Sequence, residues 1–110
     1  MTDKIKYTAS SGNVFADIGV ARPEEANAKA ELALQINELI ERRSLTQAQA
    51  AKVLGINQPK VSALMRGQLG GFSIERLIRF LAALGRDVQI VVTPTVAPSD
   101  RGHLTVFAHQ

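Results

Sequence analysis

Apolar residues recur along this chain at helical spacing in four stretches, and the period changes only near the C-terminus. In the first stretch Leu32, Ile36, Leu39 and Ile40 form one stripe at three- and four-residue steps, with Glu38 and Glu41 off it. Pro23 predicts the start of this helix. Glu24 and Glu25 then suit its free N–H groups and dipole, and Arg42 and Arg43 suit its C-terminal end. The second stretch carries Ala50, Ala51, Val53 and Leu54 on one face. Thr46 is placed as its N-cap, Gln49 closes a capping box, and Gly55 can end it in the left-handed conformation. Asn57 caps the third stretch, Pro59 sits in its first turn, and Val61, Leu64 and Met65 are expected to face inward until Gly67. The loop QLGGF argues against continued helix, after which Ser73 caps a fourth. Ile74, Leu77, Ile78 and Leu81 form its stripe before Gly85; Phe80 and Leu84 widen it, which suggests burial on two sides, one against a second subunit.

Three pairs stand where hydrophobic staples pin a helix start: Leu45 with Ala50, Ile56 with Val61, and Phe72 with Leu77. At Asp87 the period shifts. DVQIVVT is β-branched and short, so it reads as a strand, and HLTVFA from His103 to Ala108 reads as a second one across a Pro-containing linker. A lone hairpin is marginal in water, so pairing with the same strands of a second copy, or with another protein, is expected; a disordered tail after Pro94 is the alternative. At the other end Ser10-Ser11-Gly12 looks like a joint, and NVFADIGV supplies an apolar cluster, with Asn13 to cap a helical turn and Gly19 to end it. That cluster either folds back on the chain's own helices or docks on a partner through Val14, Phe15 and Ile18. The expected division is an arm over 1–22, a helical domain over 23–86 and a C-terminal strand or hairpin over 87–110.

Composition narrows the function. The 110 residues suit one domain with tails, and its small helical core is near the limit for folding alone, so dimerisation would add buried area. Cysteine is absent, which excludes a disulfide framework and a Cys-based zinc site and suits a reducing cytosol. No apolar run approaches the roughly 20 residues of a membrane span, and the N-terminus lacks the apolar core of a signal peptide; a cytoplasmic protein is expected. Formal net charge is +3, but unevenly spread. From Thr46 to Arg86 six cations face Glu75 alone, a net +5, whereas Met1 to Glu41 is net −3. A basic half beside an acidic half suits a polyanionic partner; a solvated basic face is the plain alternative. Enzyme chemistry has no foothold. There is no HExxH, no phosphate-cradling glycine loop and no paired carboxylates in an apolar setting. The two histidines, His103 and His109, lie near the C-terminus, so no metal and no cofactor are expected.

The stretch TQAQAAKVLGINQPKVSALMRG ties these features together. Small Ala51 inside one helix, Gly55 in the turn, Ile56 after it, and Val61 and Leu64 in the next helix resemble the helix-turn-helix of the Xre/Cro repressor family over about Ala30 to Leu84. The resemblance implies a mainly α fold: a bundle of four or five helices, with the C-terminal strand or hairpin used for dimerisation. It also implies double-stranded DNA as partner, read in the major groove of a palindromic operator by a homodimer with half-sites about 34 Å apart. By position in the motif Gln58 looks like the first base reader, able to bond adenine N6 and N7. Lys60 is expected at guanine or a phosphate, Ala63 at a thymine methyl, and Ser62 at base or backbone. Pro59 stands where many family members place a polar reader, so specificity rests more on Gln58, Lys60 and DNA shape. Thr46, Gln47 and the N–H groups beside them are placed for one phosphate and Arg66 for another, with Lys52 a weaker candidate.

A narrower likeness covers more of the chain. SGNVFADIGV, a first helix rich in Glu and Ala, QPKVSALMRG, FSIERLIRFLAALG and then DVQIVV, in that order, resemble a HigA-type antitoxin. That likeness implies a bacterial dimer that binds a RelE-like ribonuclease toxin and represses the promoter of their shared operon. The N-terminal cluster Val14, Phe15 and Ile18 is then the candidate toxin contact. Two alternatives stay open: a stand-alone Xre-type regulator, and a protein-interaction module that does not bind DNA.

Overall fold

A computed structural model describes residues 22–95 and 101–108 of the chain. Four helices follow one another: α1 (Arg22–Arg42), α2 (Gln47–Leu54), α3 (Gln58–Met65) and α4 (Ile74–Ala83). The long α1 lies chiefly against α4, while α2 packs on α3; smaller contacts join α1 to α3 and α2 to α4. Ile36 and Ile40 of α1, Val61 and Leu64 of α3, and Leu77 of α4 with Leu84 just beyond it are the most deeply buried large side chains. Each comes from a different turn, so the three elements share one core. Removing any of these aliphatic side chains to alanine would cost about 2–5 kcal/mol, a large part of a small domain's stability.

The local signals act as their chemistry predicts. The Gln49 N–H donates to Thr46 Oγ1 at 3.1 Å while the Thr46 N–H donates to Gln49 Oε1 at 2.8 Å, so the capping box is closed. Asn57 Oδ1 accepts from the Lys60 N–H at 2.9 Å, and Ser73 Oγ from the Arg76 N–H at 3.1 Å. Gly55 has φ +72°, and the N–H groups of Gly55 and Ile56 both donate to the Ala51 carbonyl, at 2.8 and 3.0 Å. α1 closes in the same way but without glycine. The Ser44 N–H donates to the Glu41 carbonyl and the Leu45 N–H to the Ile40 carbonyl, both at 3.0 Å, and Ser44 takes φ +54°.

Several expectations need correction. Val53 and Met65 are 39 and 43 % exposed, because each lies at the edge of its helix's inward stripe. Phe80 and Leu84 are already buried at 5 and 1 % exposure against the chain's own helices, so no second subunit is needed to cover them. α1 begins at Arg22, one residue before Pro23.

The strand expected over DVQIVVT and the one over HLTVFA do not form among the described residues. A strand needs a neighbour to fill its ladder, and the two segments do not pair with each other. Val88, Ile90, Val91 and Val92 are exposed instead, and Phe107 with them. Residues 101–108 lie back along the bundle, with Leu104 and Val106 partly buried on the core. The Glu24 carboxylate meets His103 Nδ1 at 2.7 Å and the Leu104 N–H at 3.5 Å. The N-terminal arm, including Val14, Phe15 and Ile18, lies outside the described residues, as does His109.

Candidate nucleic-acid interface

α2 and α3 are eight residues each, and their crossing decides which side chains reach outward. Ala50 and Ala51 are buried at 0 and 8 % exposure at that crossing. A larger side chain there would push the helices apart, since interior packing leaves no spare volume. Val61 and Leu64 turn one side of α3 wholly into the core. The opposite side of the same helix is thereby held outward: Gln58 and Pro59 are exposed, and Lys60, Ser62 and Ala63 are half-buried.

Gln58 stands first in the helix, exposed, with no side-chain partner among the described residues. Its amide is therefore free to give and to accept. Pro59 brings no N–H, and the Lys60 and Val61 N–H groups are taken by Asn57, so Gln58 holds the remaining free donor of that first turn.

Lys60, expected at guanine or a phosphate, rests against an aromatic ring. Its Nζ lies 5.6 Å from the centre of the Phe72 ring. The Arg76 guanidinium lies 5.8 Å from the same ring and 5.6 Å from Phe80, and the two rings meet edge to face at 5.9 Å. A ring's negative face attracts cations. Phe72 thus gathers one cation from α3 and one from α4. The sequence reading missed Arg76 and Phe72 as parts of this surface; FSIER after a glycine loop, with an aromatic just ahead of an N-cap, was the available signal.

Arg66 is also positioned. It donates to Ser62 Oγ at 2.6 Å and to Gln68 Oε1 at 3.1 Å. The guanidinium is laid along the end of α3, and the Ser62 hydroxyl keeps its own proton to donate. Gln68 is a further residue that sequence reasoning passed over.

At the start of α2, Thr46 and Gln47 are exposed. The capping box uses the Thr46 and Gln49 N–H groups, and the Ala50 N–H donates to the Thr46 carbonyl at 2.8 Å. The Gln47 and Ala48 N–H groups remain for an anion. α2, α3 and the loop to α4 present Lys52, Lys60 and Arg66 and no carboxylate. Among the described residues no group of histidines and carboxylates has the arrangement of a metal site, and no helix is long and apolar enough to cross a membrane.

A family model described as a helix-turn-helix domain matches residues 14–93 of the chain. This chain belongs to that family. A solved structure named as a candidate XRE family transcriptional regulator superposes on the helix-turn-helix protein with a TM-score of 0.75. It is 45 % identical and covers 81 % of this chain and 100 % of its own. A Mycobacterium tuberculosis (strain H37Rv) protein named as a candidate antitoxin, HigA2, is 35 % identical over 60 residues. That match takes in 54 % of this chain and 59 % of the relative, so the helix-turn-helix protein spans about three fifths of that protein's length. The chain is thus an Xre-type, HigA-like helix-turn-helix protein, and its expected bundle of four or five helices has four among the described residues.

Proposed function

We propose that this protein is a sequence-specific transcriptional repressor that binds double-stranded DNA through α3 as a homodimer on a palindromic operator. We further propose that it is the antitoxin of a toxin–antitoxin pair, repressing its own operon and neutralising a RelE-like ribonuclease. The observation that carries the DNA reading is the division of α3. Val61 and Leu64 are wholly buried while Gln58 is exposed and unpartnered, so a rigid helix offers an amide at its N-terminal end. That is the end which enters the major groove in helix-turn-helix proteins. Gln58 reads a base; Lys60 serves a guanine or a phosphate; Ala63 meets a thymine methyl and Ser62 a base or the backbone; Pro59 lies at the same interface but offers no polar group to a base. Thr46, Gln47 and Arg66 hold backbone phosphates on either side.

The antitoxin reading draws on the HigA2 relative and on the order of the sequence blocks described above. The arm bearing Val14, Phe15 and Ile18 serves the toxin in this reading. The exposed run Val88, Ile90, Val91 and Val92 supplies the strand that pairs between two copies, because four exposed apolar residues outside any helix are otherwise unexplained. The second reading is a stand-alone regulator, favoured by the name of the 45 %-identical solved structure.

A footprint on the protein's own promoter tests the DNA reading. Protection of an inverted repeat with half-sites about 34 Å apart is expected. Binding to random DNA of equal strength would defeat it. Coexpression with the product of the adjacent gene separates antitoxin from stand-alone regulator: rescue of growth supports the first, and a harmless neighbour supports the second.

A further inference from the structure

The side of α1 turned away from the core has a character opposite to that of α3. Ala30, Leu34, Asn37, Glu38 and Glu41 follow one another on it at helical spacing. Leu34, in the middle of a helix, is 50 % exposed. At the C-terminal end of this face an open cleft of about 470 Å³ separates α1 from α3, with Ile40 and Leu45 at its floor and Met65, 43 % exposed, on its far wall. Asn37 lines the same cleft. Its Nδ2 donates to the Leu64 carbonyl at 3.4 Å, but its Oδ1 is shut off from solvent and accepts nothing.

Charge narrows what can lie there. Glu38 and Glu41 have no ion-pair partner among the described residues. Arg42 and Arg86 border the face beside Glu38, and Arg43 is turned away to the Leu84 carbonyl. DNA is repelled by such a surface. A second copy presenting the same face would set glutamate against glutamate, which is unfavourable. A basic surface with an apolar anchor suits the bare Leu34, the open cleft and the two glutamates at once.

We propose that the outer face of α1, with the cleft beside Met65, is the docking site for a basic partner protein. An apolar side chain of the partner rests on Leu34 and Met65, and its Lys or Arg groups meet Glu38 and Glu41. The proposal rests on the antitoxin reading for where that partner is encoded, next to this gene. It also separates the two functions spatially: the partner takes an acidic face and DNA a basic one, so one chain can hold both.

The test titrates the purified product of the adjacent gene into the full-length protein by calorimetry. Two variants are compared with the unaltered chain: Leu34→Arg, and the double substitution Glu38→Gln with Glu41→Gln. Leu34→Arg should weaken the complex at least about tenfold, the size of a central contact. The double variant should weaken it at low salt and remove most of its salt dependence. Both should leave the melting temperature and DNA affinity where they were. The glutamine pair introduces no bulk, so it decides the matter if Leu34→Arg fails to fold. A complex that forms with the unaltered chain and is indifferent to the glutamine pair overturns the docking site alone. If the unaltered chain forms no complex, the antitoxin reading falls and this partner with it.

Discussion

The Lys60 ammonium sits 5.6 Å above the Phe72 ring, so a cation of α3 is moored to a buried residue at the start of the next helix. The mooring limits how Lys60 can search. It also joins α3 to α4 electrostatically, because Arg76 shares the same ring. A lysine held in this way has less side-chain freedom to lose on binding, which favours the contact with DNA proposed for it.

Replacing Phe72 by leucine keeps the site apolar but removes the ring face. The expected loss of stability in urea is about 1–2 kcal/mol, from lost packing and a weakened cation contact. DNA affinity should fall for every operator variant, with the base preference at the Gln58 position unaltered. A changed preference there would mean that Phe72 positions Gln58 as well as Lys60.

Gln58→Ala removes an exposed amide and touches nothing in the core. Binding to the operator should weaken by about 1–3 kcal/mol, with preference relaxed at a single base pair. Titration against operators substituted one position at a time shows this. Uniform losses across the set would place Gln58 on the backbone instead.

Arg66 is held by Ser62 and Gln68 on the solvent side of the helix end. Arg66→Ala should weaken all sequences alike and reduce the slope of log affinity against log salt by about one per chain. An unchanged slope would remove Arg66 from the phosphate contacts.

Ser44 ends α1 in a left-handed conformation at φ +54°, a conformation that strains a residue with a Cβ. Ser44→Gly should relieve about 1 kcal/mol of that strain and return roughly half of it as glycine's greater chain entropy. A melting temperature higher by a few degrees is expected, with DNA binding unchanged; a lower one would show that the Ser44 side chain stabilises the turn.

Ala51 is 8 % exposed where α2 meets α3, and its carbonyl receives both N–H groups of the turn. Ala51→Glu would bury an unpaired charge in that crossing, at about 3–5 kcal/mol. Loss of the cooperative thermal transition by circular dichroism is expected. A variant that stays folded and still binds DNA would show that the helices do not cross there.

How much of this was written in the chain follows from the range of each interaction. Capping is a matter of three residues, so Thr46, Asn57 and Ser73 could be recognised from their neighbours, and Gly55 from its place between two periodic runs. The inward positions of Ile36, Val61, Leu64 and Leu77 follow from helical period alone. The outward side of α3 is then what remains, which is why Gln58 could be named without coordinates. Edge positions were less legible. Val53 and Met65 have the same hydrophobicity as core residues, and only the packing partners present determine that they stay half open.

Contacts between distant parts were not legible at all. Nothing near Glu24 announces that Leu104 and His103, some eighty residues later, come to its carboxylate, or that Arg43 turns to the Leu84 carbonyl. Nor does spacing bring Lys60 over Phe72 or leave Asn37 Oδ1 without a donor. The sequence by itself determined the helices, their ends and the helix-turn-helix they compose, because those depend on period and on hydrogen bonds a few residues long. Only the tertiary structure decided which cations are tethered, which apolar residues stay bare and where the C-terminal segment lies. Those outcomes depend on how helices meet in space, and the meeting is a property of all the side chains between them.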